Sequence, residues 1–156
     1  NAQGELYLTD VVGHAVADGR PVGTLAVQDT WAVEGVNDRV QLAALHRELN
    51  RRTLERWMRA GVTVLDPAST WVDADVTLER DVVIEPNTLL RGATRVATGA
   101  TVGPNCQLVD TEVGAGAEVS NATSYGAVIG PGVRLSHCTA HELHPRLTDP
   151  GGRICP

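Results

Sequence analysis

Phenylalanine is absent from the 156 residues and aromatic residues total only 3%. A chain so poor in bulky side chains cannot fill a thick core and must pack thin layers of Val, Ile, Leu and Ala, an arrangement suited to its 16 glycines. Cysteine is scarce too. Cys106, Cys138 and Cys155 make an odd count with no CxxC pair, which argues against a disulfide framework or a zinc ribbon and for a reducing cytoplasm. Basic residues are the minority charge, and a net charge of −6 argues against a nucleic-acid surface, because phosphate binding needs an excess of Lys and Arg on one face. No apolar run approaches the ~20 residues needed to cross a bilayer, and the N-terminus has neither a basic nor an apolar targeting region, so no membrane partner is expected.

What the chain has is a period. Leu78, Ile84, Leu90, Val96, Val102 and Leu108 recur every six residues, with Gly, Pro, Asn or Asp in most of the spacers. That interval fits neither a helix nor a hairpin sheet. It predicts a left-handed parallel β-helix of hexapeptide repeats, in which each short strand points one side chain inward and a turn leads to the next face. The period slips once, to Val113, and resumes at Val119 and Tyr125, a pattern expected for a small bulge at a corner. With three strands per turn, residues 72 to 135 predict between three and four turns. Cys106 falls inside the hexad frame, where it is expected to pack as a small hydrophobe.

The sequence before the repeats has a different character. Thr9-Asp10 followed by Val11, Val12, Ala15, Val16 and Gly19 predicts a short helix with a Thr cap and a glycine stop. Val22, Leu25, Val27, Trp31 and Val33 alternate with polar positions and predict two extended segments. About forty residues is at the limit for burying enough surface to fold alone, and the chain opens on Asn1 rather than Met. Both features suggest a piece of a longer protein. From Asp38 to Ala60 the spacing turns helical, with Val40, Leu42, Leu45, Leu49, Trp57 and Met58 on one side and Gly61 as the stop. Six arginines lie on this helix, and Glu48 to Arg52 and Glu55 to Arg59 are favourable i,i+4 pairs, so a solvated face is expected rather than an anion site. The organisation expected is residues 1–39 as the end of one domain, 40–60 as a linker helix, 61–135 as the start of the β-helix and 136–156 as a divergent tail.

One residue at the helix entrance carries two readings. Asn37 follows the turn at Gly35 and is a good N-cap, or its amide oxygen is a hard ligand for Mg²⁺, which would need a second ligand, normally a carboxylate. The run from Asn1 to Asp10, then Val33-Glu34-Gly35-Val36-Asn37-Asp38-Arg39-Val40-Gln41-Leu42, then Ala60-Gly61-Val62 leading to Asp66-Pro67, resembles the bifunctional N-acetylglucosamine-1-phosphate uridylyltransferase and glucosamine-1-phosphate acetyltransferase family in order and spacing. The resemblance covers about residues 1 to 135. It implies the end of an α/β nucleotidyltransferase domain, a linker helix and a trimeric left-handed β-helix that carries acetyl transfer. The substrates implied are acetyl-CoA with glucosamine 1-phosphate, and UTP with N-acetylglucosamine 1-phosphate, yielding UDP-N-acetylglucosamine in the cytoplasm. Asn37 then corresponds to a ligand of Mg²⁺ and of the UDP-sugar pyrophosphate, and Glu5, Tyr7 and Thr9 to the border of the sugar pocket. The metal would offset charge on the attacked phosphate and the leaving pyrophosphate.

The departures from the family pattern matter equally. The Gly-rich nucleotide loop and the Asp that shares the metal have no counterpart in this sequence. After Gly130-Pro131-Gly132-Val133-Arg134-Leu135 the chain reads Ser136-His137-Cys138, where the family pattern would continue the coil. No catalytic residue is therefore assigned, and the 156-residue chain alone is expected to be inactive. His137, Cys138, His141, His144 and Cys155 in the tail have ligand chemistry but no implied scaffold. Two other classes compete: a non-catalytic β-helix module for assembly or binding, and a trimeric metal hydrolase. The hydrolase needs histidines within the coils, whereas all five lie outside the recognisable hexads.

Overall fold

Short aliphatic strands with turn residues between them cannot each bury a face alone, so they must stack into a coil. The computed structural model describes residues 4, 7–141 and 153–154, with His141 and the last two given by their backbone. The chain divides into two units, Asn1–Asn37 and Asp38–Pro156.

In the first unit, helix α1 spans Asp10–Ala17. Thr9 stands at its N-cap with helical backbone (φ −63°, ψ −23°) and makes no side-chain cap bond, so the Thr supplies position without the expected hydrogen bond. The stop follows the sequence reading. Gly19 adopts φ 70°, and the Gly19 and Arg20 amides donate to the carbonyls of Val16 and Ala15 at 3.0 and 2.9 Å. The two extended segments expected over residues 21–36 are not strands; a single 3-10 turn forms at Thr30–Ala32. Alternation specifies a face, but a strand also needs a neighbouring backbone to bond, and among the described residues the first strand begins at Thr63. No described residue of this unit is buried.

The second unit opens with α2, Arg39–Arg59, and continues as a left-handed parallel β-helix of about five turns. One face holds β1 (Thr63–Val64), β4 (Val83–Ile84), β7 (Thr101–Val102), β10 (Glu118–Ser120), β13 (Arg134–Ser136) and β15 (Arg153–Ile154). A second holds β2 (Trp71–Val72), β5 (Thr88–Arg91), β8 (Cys106–Val109), β11 (Thr123–Tyr125) and β14 (Thr139–His141). The third holds β3 (Thr77–Leu78), β6 (Arg95–Val96), β9 (Glu112–Val113) and β12 (Val128–Ile129). Every hexad residue from Leu78 to Leu108 points inward, and Ile84, Leu90, Val102 and Leu108 are 0% exposed.

Two sequence expectations are corrected in the coil. The inward residue of β11 is Ser124, 0% exposed, paired in register with Leu108 and Ala140; Tyr125 is 40% exposed and faces outward. The coil shortens as it rises, the register Ile84↔Val102↔Val119↔Leu135 stepping by eighteen, seventeen and sixteen residues, so two more five-residue spacings, Val119 to Ser124 and Ser124 to Ile129, follow the first. Ser124 is tolerated inside because its hydroxyl lies 2.9 Å from that of Thr111, which is also buried. The coil also runs past Leu135: β13 and β14 stack on β10 and β11, and His137 takes a corner that the sequence reading left to the tail.

The corners explain the turn residues. Asn87, Asn105, Asn121 and His137 occupy the left-handed region (φ 58°, 57°, 48° and 56°) at equivalent corners. The Asn87 amide donates to Asn105 at 3.1 Å and Asn105 to Asn121 at 3.0 Å, forming a side-chain ladder that climbs from turn to turn along the coil axis. Cys106 is buried as expected, and burial pushes its thiol up from its ordinary value.

Helix α2 closes the first turn. Its buried residues are Asn50, Thr53 and Leu54, with Trp57 packed on the core, whereas Val40, Leu42 and Leu49 are exposed. The expected apolar stripe is therefore only partly the contact face. Asn50 bridges the open edge of β2: its amide donates to the Thr70 carbonyl at 2.8 Å and its oxygen accepts the Val72 amide at 3.0 Å. A solenoid needs its end backbone satisfied, and a polar residue on the helix does this where an aliphatic one could not.

Candidate functional site

The residues assigned to a sugar-nucleotide site lie in the first unit. Tyr7 and Thr9 share the turn that opens α1, where the Asp10 amide donates to the Tyr7 carbonyl at 3.0 Å and the Val12 amide to the Thr9 carbonyl at 3.1 Å. Tyr7 is 44% exposed. Glu5 lies outside the described residues, as do His144 and Cys155 of the tail. Asn37 is exposed at the end of the unit, and the turn expected at Gly35 does not form, residues 34–37 being irregular.

The alternative reading of Asn37 as a helix cap is corrected. Asp38 is the N-cap of α2, with extended backbone (φ −146°, ψ 172°), and its carboxylate accepts the Gln41 amide at 2.8 Å. Asp is as good a cap as Asn, and the first residue to leave the helical region takes the role. Asn37 is thereby not the cap, and its neighbour's carboxylate is engaged by the Gln41 amide. Among the described residues no three His, Cys, Asp or Glu side chains converge on a metal position. Mg²⁺ takes an octahedral set of oxygens, so the described residues, offering one amide oxygen at Asn37, do not by themselves form a Mg²⁺ site.

The coil presents a second concave surface. On the outer side of the third face, Thr77, Arg95, Glu112 and Val128 stack in register above a groove of about 590 Å³. Gly114 lines it, where a Cβ would come within 2.5 Å of the Pro131 nitrogen, so only glycine fits between these stacked corners. Glu79 at one rim is committed to the Thr98 amide at 2.7 Å.

Both acids of α2 are engaged by its own arginines. Glu48 accepts from Arg51 Nε and Nη2, each at 2.8 Å, and from Arg52 Nε at 2.6 Å, and these bonds, that to Arg51 foremost, hold its carboxyl down at about 2. Of the two predicted pairs, Glu48 to Arg52 forms, whereas Glu55 is engaged by Arg51 at 2.5 Å instead of by Arg59. Asp38 and Asn50 are structural positions that the sequence reading missed. Asp38 had a signal, an acid directly before a helical period, whereas a polar residue in mid-helix carries none.

No protein-family profile matches the chain. Curated relatives do. It is 60% identical over 131 residues to the bifunctional protein GlmU of Pseudarthrobacter chlorophenolicus, covering 84% of this chain and 27% of that protein. It is 57% identical over 135 residues to the GlmU of Kineococcus radiotolerans (86% and 28%) and 49% identical over 142 residues to that of Cutibacterium acnes (86% and 34%). This chain belongs to the GlmU family. It spans about a quarter to a third of the length of these GlmU relatives. A match of 131 residues is longer than the unit Asp38–Pro156, so the GlmU likeness runs from the β-helix across α2 into the first unit. Among the described residues no helix is long and apolar enough to cross a membrane.

Proposed function

We propose that this chain carries the junction of a bifunctional enzyme of UDP-N-acetylglucosamine synthesis. Residues 1–39 form the end of its uridylyltransferase domain, 40–60 the linker helix, and the coil from residue 61 the start of its acetyltransferase β-helix. The whole enzyme transfers an acetyl group from acetyl-CoA to glucosamine 1-phosphate, then a uridylyl group from UTP to the resulting N-acetylglucosamine 1-phosphate, releasing pyrophosphate. The observation that carries this reading is the identity that crosses both units, 60% over 131 residues, since a shared solenoid alone would not extend beyond the coil. The parent works in the cytoplasm as a homotrimer with Mg²⁺.

Within that reading Asn37 is one contact to the metal and pyrophosphate of the nucleotide sugar, with Glu5, Tyr7 and Thr9 beside the sugar. Its exposed carboxamide, relieved of capping by Asp38, suits that role. The remaining ligands come from residues other than those described, so the 156-residue chain turns over neither substrate pair.

Replacing the matched stretch of the Pseudarthrobacter GlmU with this chain's residues tests the reading. The chimera is expected to keep both activities. Asn37→Ala within it should lower uridylyl transfer about tenfold to a hundredfold, the loss of one hydrogen bond to a charged group, and leave acetyl transfer unchanged. A folded chimera without either activity, or an Asn37 variant that lowers both equally, would overturn it.

A further inference from the structure

Of the α2 arginines without a carboxylate partner among the described residues, one stands over an apolar groove. Between α2 and the first turn of the coil lies a groove of about 690 Å³ whose floor is Leu54, Met58, Pro67, Ala68 and Trp71. The Trp71 ring is held as a wall by the ring of His46, 4.9 Å away at 54°. Asn50 also reaches the groove, but both ends of its amide are bonded to β2, so it adds no open polar group to the floor.

The rim is where the charge lies. Arg51 is neutralised by Glu48 and Glu55, at 2.8 and 2.5 Å. Arg47, one turn earlier on the same side of the helix, has no carboxylate within ion-pair distance among the described residues. The groove thus combines a flat apolar floor with a single uncompensated guanidinium, a group that both pairs with an anion and stacks on a ring. Its volume matches a ligand of two or three rings. We propose that this groove binds a small amphipathic monoanion, with the apolar body on Trp71, Pro67 and Leu54 and the anionic group on Arg47. A dianion would meet only one free cation, and a neutral compound would leave Arg47 unused.

The chain contains one methionine, Met58, and it lines the groove, so a ¹³C-methyl methionine label gives a single local reporter. The probes are 8-anilinonaphthalene-1-sulfonate and its neutral counterpart N-phenyl-1-naphthylamine, titrated into the full chain. The sulfonate is expected to shift the Met58 methyl signal to saturation at one probe per chain and to bind more tightly than the neutral probe. Arg47→Ala should weaken the sulfonate about threefold to fivefold and Arg47→Glu about tenfold, without affecting the neutral probe. Arg39→Glu, the same charge change on the same helix but outside the groove, should do neither. An unmoved Met58 signal, equal affinity for the two probes, or equal weakening by Arg39→Glu and Arg47→Glu would overturn the proposal.

Discussion

Leu25 and Leu108 are the same side chain in two settings: one is 90% exposed in the first unit, the other 0% exposed in the coil. The contrast extends through both regions. Leu8, Val11, Val16 and Val33 are all more than half exposed, whereas Ile84, Leu90, Val96 and Val102 have at most 1% of their surface in water. Hydropathy therefore does not distinguish the regions; the source of the covering surface does. In the coil, a residue about one turn onward in the same chain covers each aliphatic, so short-range sequence suffices to bury it. In the first unit no such repeat exists, and α1 has no buried residue although its apolar stripe is as regular as a core helix requires.

The sharpest way to break this comparison is to cut the same leucine in both places. Leu108→Ala should destabilise the coil by about 2 to 5 kcal/mol, while Leu25→Ala should stay within about 0.5 kcal/mol, both followed by urea unfolding. Equal losses would mean that the first unit has a core after all. Asn50→Ala tests whether the coil depends on its helix as well as on its period. Stranding the Thr70 carbonyl and Val72 amide should cost about 2 to 4 kcal/mol and speed hydrogen exchange at Val72.

The boundary between the regions is sharpened by two neighbours. Asp38→Ala should cost about 1 kcal/mol in thermal unfolding as the cap of α2 is lost, and Asn37→Ala should cost less, since Asn37 is not the cap. The smallest effect belongs to Glu48. Its carboxyl is held at about 2 in the folded chain against an ordinary 4.5, so its contribution is complete above pH 4.5 and fades as the pH falls toward 2. Glu48→Gln should flatten that part of the stability profile measured by circular dichroism, and an unchanged slope would assign the acid sensitivity to other carboxylates.

The hexad frame from Leu78 to Leu108, the inward Cys106 and the glycine stop of α1 were legible because each is set by residues a few positions apart. The two later spacing slips, at Ser124 and Ile129, were not. Ser124 and Tyr125 are adjacent and either could face inward; the register with Leu108 below and Ala140 above selected the smaller residue for the shortened turn. The candidate site was legible only as residue types. Asn37 was read as cap or ligand, and the bond from the Gln41 amide to Asp38 was needed to remove it from the cap.

By itself, then, the sequence determined the β-helix, because a six-residue period repeats the same local choice of strand and turn and each repeat buries the last. Tertiary structure alone decided which residues end that coil and which face of α2 meets it. Asn50 closes the edge of β2 from twenty residues away, and no periodicity signals it, since its role exists only once helix and strand lie side by side and two backbone groups need partners.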